Sequence, residues 1–290
     1  MSNLIGLICP RTKKNVLFEH CIHVCKDRCH PLPLIMALRN TRKTEENVYH
    51  VTEILNPPQV VYLERNNKYY ATFESLIWMT LGTAWHKIPE GQDAKIAAME
   101  LLDTHQIEKG FKVKIGDNYL TGKADYYDAD NAILWDYKTM KSYPIEKLLK
   151  HDWSDTTYKK QLNIYRVYGF PQAKSLKLEA IVKDWSTHIQ KNMKIHPVET
   201  IDVPIMNDVD VKTMTEKLIK EHSDNQKDPS LVRPCKVPSE TWYNKNPRSP
   251  NYEVHLRCRD YCPVSKLCPQ YQKIQGGGMI DDNYFEEVGL

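Results

Sequence analysis

The chain has 290 residues, of which 41% are hydrophobic and 27% are charged, and its formal net charge is +3. This balance is typical of a globular protein with one large domain, and it permits a polyanionic partner without requiring one. The longest apolar runs, such as Leu4–Ile8 and Leu32–Leu38, are far too short to span a bilayer, so no membrane partner is expected. The N-terminus also lacks the pattern of a signal peptide. We therefore expect an intracellular, cytoplasmic protein.

The cysteines fall into two sets of four, separated by a long cysteine-free segment. The N-terminal set is Cys9, Cys21, Cys25 and Cys29, and the C-terminal set is Cys235, Cys258, Cys262 and Cys268. In a reducing compartment, such sets are more often metal ligands than disulfides. The predicted organisation is a cysteine-rich module over residues 1–33, a core over 34–222, a second cysteine-rich module over 223–275 and a flexible tail over 276–290.

The N-terminal set predicts a tetrahedral zinc site. Steps of four residues from Cys21 to Cys25 to Cys29 would place three thiols along one helical face. Cys9 supplies a fourth thiol, or a neighbouring histidine replaces one of the four. The alternative is a group of free thiols buried on a helix.

The C-terminal set has the spacing Cys258-x3-Cys262-x5-Cys268, and a proline directly follows each of the last two cysteines. Such prolines set turns that free nearby amides to point at sulfur, which is typical of metal or cluster ligands. Free thiols or a disulfide are the alternative. We expect the bound metal to tie a loose C-terminal segment to the core.

Apolar periodicity predicts an α/β core between the two sets. Residues 72–105 have the spacing of helices, and Gly82 is expected to mark close packing. Residues Asp93 to Gln106 are predicted to form either a second helix or an extension of the first. The alternation of side chains predicts strands over residues 107–115, 120–127, 132–139, 175–184 and 198–205. Helices are predicted over residues 158–168 and 208–222, followed by a linker that begins at residue 223.

The hairpin formed by the strands over residues 120–127 and 132–139 carries the charged residues of greatest interest. Asp136 and Lys138 are two residues apart on one strand, so they lie on the same face of the sheet. Asp125 lies near the middle of the neighbouring strand and could reach the same place. Two carboxylates and a lysine that converge on a sheet are suited to divalent-metal and phosphate chemistry. The alternative is a solvated face of an edge hairpin.

Four short motifs occur in a fixed order: Gly82-Thr-Ala-Trp-His86, Gly122-Lys-Ala-Asp125, Asp136-Tyr-Lys138 and Gln161-Leu-Asn-Ile-Tyr165. Their order and separation resemble the PD-(D/E)XK nuclease superfamily, and within it the RecB-type exonuclease branch, which includes CRISPR-associated and phage-encoded enzymes. The resemblance spans roughly residues 50–272. It implies a restriction-endonuclease-like α/β core, with a mixed central sheet flanked by helices, in a prokaryotic or phage-encoded protein.

The resemblance also implies a role for each motif residue. The expected Mg²⁺ or Mn²⁺ ligands are His86, Asp125, Asp136 and the backbone carbonyl of Tyr137. Lys138 is expected to orient or deprotonate the attacking water and to stabilise the phosphorane. Gln161 and Tyr165 are expected to position the nucleophile or the DNA strand. Glu108 is either a carboxylate behind the ligands or only part of its strand.

The cysteines depart from the cluster-bearing relatives, in which one cysteine precedes the nuclease core and three follow it. Either each set binds its own metal, or one N-terminal cysteine joins the last three of the C-terminal set. For the C-terminal set, the family analogy implies a [4Fe-4S] cluster and the spacing suggests Zn²⁺, whereas Zn²⁺ is expected at the N-terminal set.

The sequence thus predicts a metal-dependent deoxyribonuclease, an exonuclease that acts on single strands or free ends of DNA in recombination, repair or phage DNA processing. Recombination or replication proteins are candidate partners. The alternatives are a structure-specific or nicking endonuclease, and a protein that only binds nucleic acid through a nuclease-like fold. The presence of all three of Asp125, Asp136 and Lys138 argues against the non-catalytic alternative.

Overall fold

The computed structural model describes residues 3–39, 44–99, 104–153 and 156–275. Within these limits the chain forms two compact units. The first unit draws on the described residues within 1–47, 56–80 and 220–290, and the second on those within 48–55 and 81–219. Both cysteine sets therefore belong to the first unit, and all four motifs of the expected active site lie in the second. The predicted tail, residues 276–290, lies outside the described residues.

The protein is mixed α/β. The strands in chain order are β1 (Leu4–Ile8), β2 (Asn15–Leu17), β3 (Val48–His50), β4 (Tyr69–Thr72), β5 (His105–Ile107), β6 (Gly110–Ile115), β7 (Asn118–Lys123), β8 (Tyr126–Asp128), β9 (Ile133–Met140), β10 (Ser175–Val182) and β11 (Val198–Asp202). The α-helices are α1 (Leu32–Leu38), α2 (Val51–Ile54), α3 (Pro58–Asn66), α4 (Phe73–Glu90), α5 (Asp93–Ala98), α6 (Ser142–Leu149), α7 (Thr157–Gly169), α8 (Thr187–Met193), α9 (Asp208–Lys227) and α10 (Pro269–Gln275).

A five-stranded mixed sheet, in the order β11-β10-β9-β8-β5, forms the centre of the second unit. Its pair β9 and β10 is parallel, and the other neighbours are antiparallel. The two parallel strands follow each other through α6 and α7, which is the crossover that a parallel pair requires. Along β9, Leu134 and Asp136 are buried, whereas Ile133, Trp135 and Tyr137 are only partly buried. The alternation predicted from the sequence is therefore present.

A second, three-stranded sheet of the same unit has the order β3-β7-β6. Helix α7 packs against β6, β7 and β9, and its residues 161–166 are all buried. It begins at Thr156, whose side chain accepts a hydrogen bond from the Tyr158 amide as an N-cap. Helices therefore flank the mixed sheet, as the sequence predicts.

The strands predicted over residues 107–115 and 120–127 are each broken, which corrects the sequence prediction. The first divides into β5 and β6 at residues 108–109, and the second into β7 and β8 at residues 124–125. The pair β6–β7 belongs to the three-stranded sheet, and β5–β8 belongs to the five-stranded sheet. One long hairpin thus changes sheets at Glu108 and Asp125, two of the residues of interest for function.

The first unit contains a small sheet in the order β2-β1-β4, in which β1 and β2 are antiparallel and β1 and β4 are parallel. Its core joins residues from the strands to α1 and the start of α4, among them Leu7, Ile35 and Leu76. A smaller cluster packs Val60 of α3 against Val264 and Cys235. The chain around each cysteine set is therefore anchored to its own apolar cluster.

Two helical predictions are wrong in their details. Beyond Leu76 the expected apolar face of α4 is not maintained, because Leu81 is 45% exposed and Ala84 is also exposed. A Cβ atom at Gly82 would meet no heavy atom within 4 Å, so this glycine does not mark close packing. The helix predicted from Asp93 ends at Ala98, and residues 105–106 belong to β5 instead. Residues 100–103 of that prediction lie outside the described residues.

Helix α9 continues to Lys227, so the linker predicted from Ser223 is wrong at its start. Ser223 and Asn225 have low helix propensity, but they are only 4% and 2% exposed. Burial of this turn overrides the local preference of its residues. No helix in the described part of the chain is long and apolar enough to cross a membrane.

Candidate active site

His86 on α4 contacts Asp125 at the break in the hairpin. The distance from His86 Nδ1 to Asp125 Oδ1 is 2.9 Å, and both side chains are largely buried. The hydrogen bond to Asp125 raises the pKa of His86 above its ordinary value, against the opposing effect of burial. The Gly82–His86 motif and the Gly122–Asp125 motif are therefore in direct contact through their last residues.

Asp125 also links the broken strand to β9. Its Oδ2 atom accepts a hydrogen bond from the backbone N–H of Tyr137 at 2.6 Å. In an extended strand the N–H and the C=O of one residue point to the same side, so the Tyr137 carbonyl is directed toward the neighbourhood of Asp125 as well. Burial, assisted by the charge of Asp125, raises the pKa of the Tyr137 hydroxyl to about 12. The Tyr137 carbonyl, which is expected to be a metal ligand, thus faces the side of β9 on which Asp125 lies.

Asp136 and Lys138 point to the same side of β9, toward α7. Asp136 is 2% exposed, and its Oδ1 atom accepts a hydrogen bond from Gln161 Nε2 at 3.0 Å. Gln161 Nε2 also lies 3.2 Å from the Tyr165 hydroxyl. Lys138 Nζ lies 2.5 Å from Asp136 Oδ2, so the second oxygen of this carboxylate is paired with the ammonium group. The pair places a buried negative charge and a largely buried positive charge side by side at the site.

The electrostatics of this pair are dominated by burial. Burial raises the pKa of Asp136 to about 6, although the positive charge of Lys138 opposes the shift. Burial alone would lower the pKa of Lys138, but the carboxylates of Asp136 and Asp125 outweigh it and raise that pKa. At neutral pH we therefore treat the pair as a carboxylate and an ammonium group. An ammonium group stabilises negative charge and cannot accept a proton, which favours the electrostatic role expected of Lys138 over the role of base.

Glu108 is a member of the site that the sequence left undecided. The ligand atoms of His86, Glu108 and Asp125 all lie within 4.8 Å of one another, and no other trio of His, Cys, Asp or Glu in the described ranges does so. Glu108 has a φ of +52°, an unusual conformation for a residue other than glycine, and its carboxylate forms an ion pair with Lys123. Asp136 is not part of this compact trio. Counting residues across the predicted hairpin would have placed Glu108 opposite Asp125.

Gly122, the first residue of the Gly-x-x-Asp motif, allows close packing behind the site. A Cβ atom there would lie 2.5 Å from the Phe111 ring and 2.8 Å from the Tyr165 ring. The two rings meet edge to face, with centroids 6.0 Å apart. Because Gly122 has no side chain, the Tyr165 ring can pack directly against the strand that leads to Asp125. Tyr165 in turn contacts Gln161.

The residues present fit a hard divalent cation. The trio offers two carboxylates and an imidazole, and Asp136 adds a third, buried carboxylate that interacts electrostatically with Asp125 and His86. Oxygen ligands suit Mg²⁺, and a histidine adds tolerance for Mn²⁺. The carboxylates are held by neighbouring N–H groups or cations, which fixes their orientation. The arrangement can place positive charge beside a bound phosphate and next to a lysine.

The C-terminal cysteines come together in the first unit. Cys235, Cys258 and Cys268 are buried, and Cys262 is partly buried. The backbone N–H and C=O of Cys235 are both held by the side chain of Gln270. Burial, together with the other cysteines of the set, raises the pKa of Cys262 to about 12, and burial raises that of Cys258 to about 11. Thiols held neutral in this way must lose their protons before they bind a metal.

The N-terminal cysteines also come together, but not on a helix as predicted. Residues His20–Val24 form a single wide turn, and Cys25 and Cys29 follow in irregular backbone. All four thiols nevertheless line one cavity. The proximity of the four cysteines within each set favours two separate sites over the alternative in which one N-terminal cysteine joins the last three.

Comparison with known proteins gives little further information. No protein-family model matches the chain, and no curated protein matches it. Among solved structures, the chain described as "Crystal structure of SSO0001" is similar to this protein, with 18% sequence identity and a TM-score of 0.46. The match covers 81% of this chain and 94% of that chain.

Proposed function

We propose that the protein is a metal-dependent nuclease that hydrolyses DNA phosphodiester bonds, built on a PD-(D/E)XK core. One observation carries the proposal: His86 from α4, Asp125 from the break between β7 and β8, and Asp136 with Lys138 from β9 meet at the place where a long hairpin changes sheets. The order of the four motifs supports it independently. A charged edge of a sheet would not bury Asp136 to 2% exposure beside a lysine.

The residues of this chain divide the chemistry among them. Asp125, Glu108, His86 and Asp136, with the Tyr137 carbonyl, would hold Mg²⁺ or Mn²⁺, which lowers the pKa of a water molecule and neutralises charge on the phosphate. Tyr137 N–H fixes one oxygen of Asp125, and Gln161 fixes one oxygen of Asp136. The Lys138 ammonium group stabilises the negative charge that develops on the phosphate oxygens. Tyr165 supports Gln161 rather than taking part in bond breaking.

The proposed substrate is DNA with free ends or single strands, cleaved as an exonuclease, and recombination or replication proteins are proposed partners. This part of the proposal depends on the resemblance of the motifs. The C-terminal cysteines are proposed to hold a structural cofactor, a [4Fe-4S] cluster or Zn²⁺, that stabilises the first unit. Its loss is expected to unfold that unit rather than to change the chemistry.

The test is to incubate the purified full-length protein with end-labelled single-stranded DNA, double-stranded DNA and RNA, with Mn²⁺, Mg²⁺ or EDTA. We expect cleavage of DNA with Mn²⁺ or Mg²⁺ and none with EDTA. Covalently closed circular single strands serve as the matched substrate, because an exonuclease leaves them intact and an endonuclease opens them. Binding of DNA without cleavage under any of these metals would contradict the proposal and favour a non-catalytic binding protein.

A further inference from the structure

The four N-terminal cysteines surround a cavity that is larger than a single metal ion needs. The cavity has a volume of about 110 Å³, and its lining includes Cys9, Cys21, Cys25 and Cys29. A space for one water molecule requires only roughly 10–15 Å³ on the same measure. The thiols therefore border a space that has room for several atoms, which they share with apolar side chains such as Leu7, Ile35 and Phe73.

The spacing of the sulfur atoms agrees with the size of the cavity. In a tetrahedral zinc site each Zn–S bond is about 2.3 Å, which places the sulfur atoms roughly 3.8 Å apart. Yet no three ligand atoms of this set, within the chain that the structure describes, all lie within 4.8 Å of one another. The thiols are gathered at one cavity, and Cys9 and Cys29 interact directly, but the set does not form the compact group that a zinc ion would hold.

The backbone at this site repeats that of the C-terminal set. Residues His20–Val24 and Arg257–Tyr261 each form a single wide turn, with a cysteine at the second position and another directly after it. Each turn is closed by the following cysteine, since the Cys25 amide donates to the His20 carbonyl at 2.9 Å and the Cys262 amide to the Arg257 carbonyl at 2.7 Å. The closing cysteines have nearly equal ψ values, 114° and 115°.

A second local feature is also shared. Cys9 is followed by proline, and the amides of the next two residues, Arg11 and Thr12, donate to its sulfur. Cys268 is followed by proline, and the amides of Gln270 and Tyr271 donate to its sulfur. Amides directed at sulfur stabilise the thiolate form, which is the form that binds metal clusters. The two sets are therefore built from the same two elements of backbone.

The N-terminal site is also held in shape by neighbouring side chains. Arg28 donates to the carbonyls of Cys21 and Ile22, at 2.9 Å and 2.7 Å, and so fixes the wide turn. His30, which lines the cavity, stacks on Phe73 with ring centroids 3.7 Å apart. The guanidinium group adds positive charge near four thiols that must ionise together.

We infer that the N-terminal cavity binds an iron–sulfur cluster, with Cys9, Cys21, Cys25 and Cys29 as its thiolate ligands, in place of the zinc ion expected from the sequence. The chain then carries a cluster site in addition to its C-terminal cysteine set. Such a cluster links β1, the wide turn and the segment before α1, which share only a small apolar core. The inference does not depend on nuclease activity.

The experiment compares two double variants of the full-length protein, purified without oxygen. Cys21→Ser with Cys25→Ser alters the N-terminal turn, and Cys258→Ser with Cys262→Ser alters the matching positions of the C-terminal turn. Iron, zinc and acid-labile sulfide are counted per chain. We expect the N-terminal variant to lose about two to four iron atoms and as many sulfides relative to the wild type. The C-terminal variant should retain the iron and sulfide that the N-terminal variant loses.

A loss of about one zinc atom and no iron from the N-terminal variant would overturn the inference, as would an unchanged metal content. If the variant fails to fold, crystals of the wild type decide the question. Anomalous scattering recorded at the iron and zinc absorption edges should show an iron peak between the four N-terminal cysteines. A zinc peak, or no peak, in that cavity would contradict the inference.

Discussion

Glu108 and Asp125 face each other where one long hairpin passes from one sheet to the other. The Glu108 amide donates to the Asp125 carbonyl at 3.0 Å, and their side chains join His86 in a compact trio of ligand atoms. The backbone pairing thus continues through the break while the strands change sheets. The carboxylates of Glu108 and Asp125 lie close together at this break, and their proximity is the geometric basis of the candidate site.

Glu108→Gln should weaken the binding of the catalytic metal ion. The substitution keeps the shape of the side chain but removes one of the two carboxylates of the trio. We expect the Mn²⁺ concentration that gives half-maximal DNA cleavage to rise by roughly 10–100-fold, with much of the maximal rate recovered at high Mn²⁺. Activity measured over a Mn²⁺ titration provides the test.

Glu216→Gln on the exposed side of α9 is the matched control, and it should leave the Mn²⁺ titration unchanged. If Glu108→Gln also leaves the half-saturating Mn²⁺ concentration unchanged, Glu108 does not bind the ion. Its carboxylate would then serve only the ion pair with Lys123.

Two glycines of the sequence motifs should respond to alanine in opposite directions. Gly122→Ala would place a Cβ atom 2.5 Å from the Phe111 ring and 2.8 Å from the Tyr165 ring, so we expect a loss of about 1–3 kcal/mol in the free energy of unfolding. Gly82→Ala meets nothing within 4 Å and lies inside α4, so it should gain up to about 1 kcal/mol. Urea denaturation measures both values. Equal effects of the two substitutions would contradict the packing described here.

Cleavage should be lost as the pH falls through about 6. Burial raises the pKa of Asp136 from 3.8 to about 6, so the folded protein takes up a proton there that the unfolded chain has already released. This group therefore favours the folded state less as the pH rises through that interval, whereas activity needs the carboxylate and should increase. Rates of cleavage at a Mn²⁺ concentration well below saturation, where the metal ion does not displace the proton, provide the measurement between about pH 5 and pH 8. A rate that is constant through pH 6, in protein shown to be folded by circular dichroism, would contradict this assignment.

Lys138→Gln should both slow cleavage and move the acid limb of the pH profile. The lysine opposes the effect of burial on Asp136, so its removal should raise the pKa of that carboxyl further. We expect a rate reduced by roughly 10²–10³-fold, with the residual activity lost at a higher pH than in the wild type. Lys141 lies just beyond the end of β9, and its substitution Lys141→Gln is the control, which should leave the pH dependence of cleavage unchanged. If the acid limb of the pH profile is not shifted in Lys138→Gln, the charge of Lys138 does not influence the pKa of Asp136 and the prediction is wrong.

Much of the site follows from local rules of sequence. A period of two along a strand is sufficient to put Asp136 and Lys138 on one side of β9 and Tyr137 on the other. Helix periodicity and capping locate α7, and spacing along it brings Gln161 and Tyr165 together. These relationships depend on neighbours within one element, so the sequence contains them. The mixed α/β class follows for the same reason.

Other features depend on contacts between distant residues and could not be predicted from a local pattern. The positive φ of Glu108 is held by pairing with Asp125 across the hairpin, and residue type gives no sign of it. Burial of Ser223 and Asn225 extends α9 through a stretch whose composition indicates a linker. The wide turn at Cys21 replaces the expected helix because its carbonyls accept hydrogen bonds from the Cys25 amide and from the Arg28 side chain. In each case tertiary hydrogen bonds or packing decide the backbone.

The central claim is that Asp136 holds the metal ion on which DNA hydrolysis depends, and a pair of isosteric variants tests it most directly. Asp136→Asn removes the buried charge, and Asp117→Asn makes the same change at an exposed turn between β6 and β7. Cleavage of end-labelled DNA is measured with saturating Mn²⁺, after circular dichroism has shown both variants to be folded. We expect Asp117→Asn to cleave like the wild type and Asp136→Asn to be slower by roughly 10³-fold or more. Equal rates for the two variants, or no metal-dependent cleavage by the wild type, would contradict the account.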